Sequence, residues 1–366
     1  MEKKNLIIAG GSILGALIVI LLIVYLISAL KPKYYTYEEL ELKIVEASKE
    51  YYKTNPTMLP VSDGEHSLSY SALVDGEFIK PINEMLKDGE NCTASIVVTK
   101  YGDNYSYIPY LNCPGEYETK ELYKAILENN PVVQTGKGLY LENNEHIFKG
   151  EVENNYLKFN AEDENYWRII KIGSDNTVKI VQVEPTLEDR YTWDDRYNED
   201  RETTYGYNDF ELSRIKDSLK QISSSEAVLS DTYKNKLVAK NWCIGKRSET
   251  EKDKSGAIEC SVVSEDNILF GLLTVGEILN ASLDENCINS TSRSCINYNY
   301  LAKTKSSVWT ITAATEKSYR VFFFTSSGTT ASSAATERKL ALATHISNRA
   351  FYKSGNGTYE DPYILR

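Results

Sequence analysis

Leu6 to Leu30 form an almost unbroken apolar run, LIIAGGSILGALIVILLIVYLISAL, with Lys3 and Lys4 before it and Lys31 and Lys33 after it. As a helix rising ~1.5 Å per residue it matches a hydrocarbon core of ~30 Å. It is longer than the roughly 7 to 15 residues of a secretory signal's apolar region, and Ile27 spoils the small-residue pattern of a cleavage site. The expectation is an uncleaved anchor, residues 1–33, embedded in a lipid bilayer through residues 6–30. Nothing later in the sequence reads as a second span.

The flanking lysines are balanced and do not orient the anchor. The cysteines do. Cys92, Cys113, Cys243, Cys260, Cys287 and Cys295 fall in sequence-local pairs without a C-x-x-C pattern. Disulfides of this kind form in oxidising compartments. The chain therefore reads as a single-pass cell membrane protein with a cytoplasmic N-terminus and an extracellular body. The net charge of −11 opposes binding to nucleic acid phosphates, and no basic aromatic stripe offsets it.

Residues 34–131 read as a membrane-proximal α+β domain. Thr36 and Glu39 form a capping-box pattern, and Leu40, Ile44, Ala47 and Tyr51 recur at helical spacing, which predicts a helix over 37–53. Residues 71–89 predict one or two short helical turns. Ser95 to Lys100 and Tyr105 to Leu111 read as a hairpin turning at Gly102-Asp103, which sets Cys92 opposite Cys113.

From residue 132 to 366 short β-like runs dominate: His146–Phe148, Tyr156–Phe159, Trp167–Ile172, Val178–Val183, Val308–Ile311 and Tyr319–Thr325. Asn208, with Glu211 three residues on, predicts a helix whose buried stripe is Leu212, Ile215, Leu219 and Ile222. Cys243/Cys260 and Cys287/Cys295 each flank a polar loop and read as local staples. Trp242 and Trp309 read as core.

The polar stretch 188–207, containing YTWDDRYNEDRE, reads as a surface loop. Its aromatics Tyr191, Trp193, Tyr197, Tyr205 and Tyr207 are the candidate ligand-binding patch, since rigid amphipathic rings make good contact surfaces. Asp194, Asp195 and Asp200 are weak candidates for a hard cation, but the spacing is not that of an EF-hand, and a solvated loop is the favoured reading. No cofactor is expected.

The segments FKGEVENNYLKF (148–159), YWRIIKI (166–172), NDFELSRIKDSL (208–219), GLLTVGEI (271–278), SVWTIT (307–312) and SGNGTYEDPYIL (354–365) resemble a family of uncharacterised surface domains from Gram-positive bacteria. These in turn resemble the C-type-lectin-like fold of phage tropism determinants and formylglycine-generating enzymes. The stretch HISNRAF (345–351) departs from the Arg-Pro-Val-like strand usual in such domains. The resemblance implies an α+β chain: a transmembrane helix, a small helix-plus-hairpin domain and a C-type-lectin-like outer domain.

His66, His146 and His345 stand in unrelated contexts, and no H-E-x-x-H, G-x-S-x-G or phosphate-binding loop is present. The functional expectation is a non-catalytic surface binding or adhesion protein that meets another protein or a glycan. The alternatives are a structural part of a pilus-like or cell-envelope assembly, and a carboxylate-dependent envelope hydrolase.

Overall fold

A computed structural model of the chain describes residues 34–61, 64–101, 104–199, 202–303 and 306–366. The chain divides into two compact units, Met1–Thr119 and Lys120–Arg366.

In the first unit helix α1 spans Tyr37–Thr54. Its start is fixed as the sequence predicts: the Thr36 hydroxyl accepts from the Glu39 amide at 3.2 Å and the Glu39 carboxylate accepts from the Thr36 amide at 2.9 Å. Leu40, Ile44 and Ala47 are buried along one stripe. They pack with Leu68, Leu73, Ile96, Val98 and Leu111, a core shared with an antiparallel sheet. The sheet is ordered β1 (Glu65–Ser69), β2 (Thr93–Tyr101), β3 (Asn104–Cys113), β4 (Tyr117–Glu118). Two short helices, α2 (Tyr70–Asp75) and α3 (Ile82–Met85), occupy the predicted 71–89 segment. Cys92 is bonded to Cys113.

The second unit begins with α4 (Leu122–Asn129). Leu122 and Ile126 belong to the core that holds Leu139, Phe148 and Trp167. This is why the division falls before α4 rather than at residue 131. Strands β5 (Gly138–Glu142), β6 (Glu145–Lys149), β7 (Tyr156–Lys158), β8 (Trp167–Ile172), β9 (Val178–Gln182) and β10 (Tyr191–Thr192) follow. After α5 (Arg214–Ser224) and α6 (Asp231–Lys234) come β11 (Phe270–Gly271) and α7 (Val275–Asn280). The chain ends through β12 (Val308–Ala313), β13 (Arg320–Thr325), β14 (Gly328–Ser333), β15 (Glu337–Arg338), β16 (Ala343–Ile346), β17 (Tyr352–Ser354) and β18 (Tyr363–Leu365). The main sheet runs β11-β16-β9-β8-β7-β18-β17, with β6 also on β8 and β5 on β6. β18 joins β7 in parallel, the other pairs being antiparallel. β12, β13 and β14 form a separate antiparallel sheet. β8 and β9 sit mid-sheet, covered on both faces, so nearly every residue in them is buried.

Helix α5 differs from its predicted start. Ser213 is the N-cap, its hydroxyl accepting from the Lys216 amide at 3.3 Å. Asn208 instead directs its amide to the carbonyls of Ala314, Lys317 and Arg320 at 2.7–2.9 Å. Leu212 therefore lies before the helix and is 65% exposed, while Ile215, Leu219 and Ile222 are buried as predicted.

The remaining cysteines pair as expected, Cys243 with Cys260 and Cys287 with Cys295. The loop closed by the first is anchored internally. Arg247 and Glu259, both fully buried, form an ion pair at 3.1 Å, and the Glu259 carboxylate accepts from the Gly276 amide of α7 at 2.7 Å.

The membrane reading requires correction. The expected span, residues 6–30, lies outside the described residues, and among the described residues no helix is long and apolar enough to cross a membrane. The longest, α1, carries charged residues throughout and buries a single stripe, the pattern of a helix packed on a protein core. The transmembrane helix, the bilayer as partner through residues 6–30, and the single-pass localisation with an extracellular body are not supported and are set aside. What stands of the expected fold class is an α+β chain of mixed helices and sheets, carrying three disulfides.

Candidate functional site

The central strands of the second unit carry isolated charges within apolar runs: Lys171 in WRIIKI and Lys179 in VKIVQ. Register makes them neighbours. Lys171 of β8 pairs with Lys179 of β9, and Lys179 pairs with His345 of β16. Three basic side chains thus form one row across three adjacent strands. Like charges directly opposite each other destabilise a sheet, so the row is held against a cost.

Carboxylates from other elements offset it. Lys171 donates to both oxygens of Glu145 on β6, at 2.9 and 2.8 Å. Lys179, with only 7% of its side chain exposed, is ion-paired to Glu277. Glu277 is fixed by the capping box that starts α7, its other oxygen accepting from the Thr274 amide at 3.0 Å. Lys240 bonds Asp175 and the Thr177 hydroxyl beside the Gly173–Asn176 turn.

The row backs onto an indole. Trp242 is buried, and its ring nitrogen donates to the Ile268 carbonyl at 2.9 Å. The Lys179 ammonium lies 4.8 Å from the indole ring, and the His345 ring centroid is 5.1 Å away. Gly271 on β11 makes room for this: a Cβ there would stand 2.4 Å from the indole. Together these groups line a cavity of about 330 Å³, one wall of which is the Cys243–Cys260 disulfide. That volume lies within the range typical of small-molecule sites.

The electrostatics follow from burial. Burial lowers the Lys179 ammonium from its ordinary range, outweighing the pull of Glu277. Burial pushes the Glu277 carboxyl up, but Lys179 and Lys171 hold it below the usual range. His345 is pushed well below an ordinary imidazole by burial and then by Lys179, Lys240 and Lys171, against Asp175. It is therefore neutral near pH 7, and its buried Nδ1 has no hydrogen-bond partner among the described residues. Asp175 is lowered to about 2: burial opposes this, but Lys240 and Thr177 prevail. Clustered perturbed groups in a cleft are a recognised mark of functional sites.

Another cavity in this unit, beside Arg168 and Tyr300, is apolar and measures about 40 Å³, room for a few waters at most. The charged cavity, at about 330 Å³, is the larger of the two.

The loop aromatics read from the sequence do not form one patch. Trp193 is fully buried, stacked edge-on with Phe210 and donating to the Thr310 carbonyl at 3.3 Å. Tyr191 packs against the core in the short β10–β15 pair. The Tyr207 hydroxyl accepts from the Glu199 amide at 2.8 Å, within the loop. Tyr197 and Tyr205 are exposed, at 54% and 44%, and Tyr205 leans on Tyr319 with ring centroids 5.0 Å apart. Asp194 is fully buried and clamped by Arg196, with Nε at 3.1 and 2.9 Å from its two oxygens. Asp195 pairs with Arg214. Asp200 lies outside the described residues. With Asp194 and Asp195 spent on guanidinium groups, no cluster of metal-ligating residues is found among the described residues.

The charged cavity went unread in the sequence, although it left a local trace. A lone lysine inside an apolar strand, found in both VKIVQ and WRIIKI, is the signal. The partner strand's His345 and the cap residue Glu277 carry no comparable mark.

No protein-family model, no curated protein and no solved structure matches the chain. The lectin-like reading of the outer domain thus rests on sequence motifs alone and is not carried further.

Proposed function

We propose that the protein is a non-catalytic binding protein whose disulfide-stapled second unit recognises a small polar ligand in the charged cavity. The observation that carries this reading is Lys179. It is a nearly buried ammonium at mid-sheet, with a second lysine and a histidine opposite it, opening on a 330 Å³ space. An apolar residue there would stabilise the sheet at no electrostatic cost, so the cost points to a use. The lysines and carboxylates are each held in a fixed pair, an arrangement suited to preorganised recognition.

The test is a titration of the full chain, disulfides intact and histidines ¹³C-labelled, with acetate, acetamide, phosphate and glucose. A saturable shift of the His345 resonance with any of the four supports the reading. His345 is assigned by its loss in His345→Gln. No shift with any probe up to tens of millimolar overturns it.

A second reading, contact with another protein or a glycan, draws on Tyr197 and Tyr205, the two candidate loop rings most open to solvent. Replacing both by Ala and losing retention on a glycan array would favour it over the cavity.

A further inference from the structure

We infer that the ligand of the charged cavity presents an oxyanion, a carboxylate or a phosphate or sulfate group, to Lys179. This deepens the small-ligand reading above and rests on it. Charge alone does not choose, because Lys171, Lys179 and Lys240 are matched by Glu145, Glu277 and Asp175.

Hydrogen-bond capacity does choose. Every carboxylate oxygen of the three acids already accepts from a protein donor. Glu145 takes Lys171 on both oxygens. Glu277 takes Lys179 on one and Thr274 on the other. Asp175 takes Thr177 on one and Lys240 on the other.

The ammonium groups are less fully engaged. Each carries three N–H donors. Lys179 spends one, on Glu277, and Lys171 and Lys240 each spend two. Four N–H groups on three lysines therefore lack an acceptor among the described residues; the two on Lys179 are buried, whereas Lys171 and Lys240 keep about a quarter of their side chains open to solvent. Buried donors without acceptors are rarer and costlier than acceptors with a spare lone pair. The Trp242 ring covers part of the Lys179 ammonium but accepts only weakly. The remaining need is for oxygen acceptors carrying negative charge, which shorten and strengthen such bonds. The neutral His345 opposite Lys179 has a buried Nδ1 with no partner, which an oxyanion oxygen satisfies when that nitrogen carries the ring proton.

The test uses the same titration and compares its arms. Acetate and acetamide have the same shape and differ in charge. Acetate and phosphate are expected to shift His345 saturably, with acetamide and glucose weaker by about tenfold or more. Lys179→Met removes the donor but strands Glu277, so Lys179→Met/Glu277→Leu, which removes both members of the pair, is the second variant. Acetate affinity is expected to fall at least about tenfold in that double variant. A His345 shift with glucose or acetamide but not with acetate or phosphate would overturn the oxyanion assignment and leave a binding cavity. Acetate affinity unchanged in a folded double variant would overturn it as well. Between the two sources of the group, tighter acetate than phosphate marks a carboxylate, and the reverse marks a phosphate or sulfate.

Discussion

Lys179 and His345 stand directly opposite each other on neighbouring antiparallel strands, in contact with the same buried indole. Lys179 keeps its charge through Glu277, and His345 stays neutral chiefly because it is buried, with the charge of Lys179 adding to the effect.

The Lys179–Glu277 pair is expected to behave as a unit. Breaking a buried pair from one side leaves an uncompensated charge and typically costs about 3–5 kcal/mol, whereas replacing both partners with apolar residues is often close to neutral. Lys179→Met should therefore lower unfolding free energy by about 3 kcal/mol. Lys179→Met/Glu277→Leu should recover part of that loss, the remainder, about 1 kcal/mol, reflecting the capping-box bond from the Thr274 amide that Glu277 also accepts. Denaturant titration of the three proteins checks this, and equal losses in the single and double variants would contradict it.

His345 makes a distinct pH prediction. Its native pKa lies well below the unfolded value of about 6.5. Below pH 6.5 the unfolded chain takes up a proton that the native state resists, so stability falls as pH drops. The limiting slope is about 1.4 kcal/mol per pH unit for one such group. Asp175, lowered to about 2, adds its own loss only below about pH 4. Between pH 7 and pH 5 the stability of the native protein should therefore decline more steeply than that of His345→Gln. Parallel curves would show that His345 takes up its proton over the same pH range in both states, contradicting a depressed native pKa.

Part of this architecture was legible because it is local. The Thr36/Glu39 box needs three residues of spacing, and the cysteines pair with the nearest available partner in sequence. The strands at 167–172 and 178–182 announce themselves as short runs rich in isoleucine and valine. The capping residue of α5 was misread where two local signals competed. Asn208 and Ser213 both suit an N-cap, and acceptors on the distant 314–320 segment claimed the asparagine. The cavity was illegible for the same reason. Its row joins β9 to β16 across most of the unit, and register between such strands leaves no trace in either one.

Trp193 was misassigned by its neighbours. Set among aspartates and arginines, it reads as exposed, but Phe210 and the Thr310 carbonyl bury it completely. Trp193→Ala should cost about 3–5 kcal/mol, the usual range for a buried large aromatic. Tyr197→Ala should stay within about 0.5 kcal/mol, as for most exposed substitutions. Thermal denaturation of both separates the core role from the surface one.

Gly271 tests the packing beneath the row. A methyl group at this position would stand 2.4 Å from the Trp242 ring, too close for a flat indole to remain. Gly271→Ala should therefore displace the ring, withdraw the aromatic surface from Lys179 and destabilise by about 1–3 kcal/mol, as overpacked cores do. Intrinsic fluorescence and denaturation together read the change. An unaltered spectrum at unaltered stability would mean that β11 yields instead.

The two disulfides of the second unit should separate stability from binding. Cys243–Cys260 closes a sequence separation of 17 and Cys287–Cys295 one of 8. Loop-closure entropy makes their stabilising contributions similar, about 3 and about 2.5 kcal/mol. Only the first forms a wall of the charged cavity. Replacing either pair by alanines should thus lower the unfolding free energy by comparable amounts. Acetate binding, read on His345, should weaken only when Cys243 and Cys260 are replaced, because that loop also carries Arg247 and Glu259, which fix the start of α7 and with it Glu277. Equal weakening by both pairs would mean that the ligand senses the stability of the unit as a whole rather than the shape of this wall.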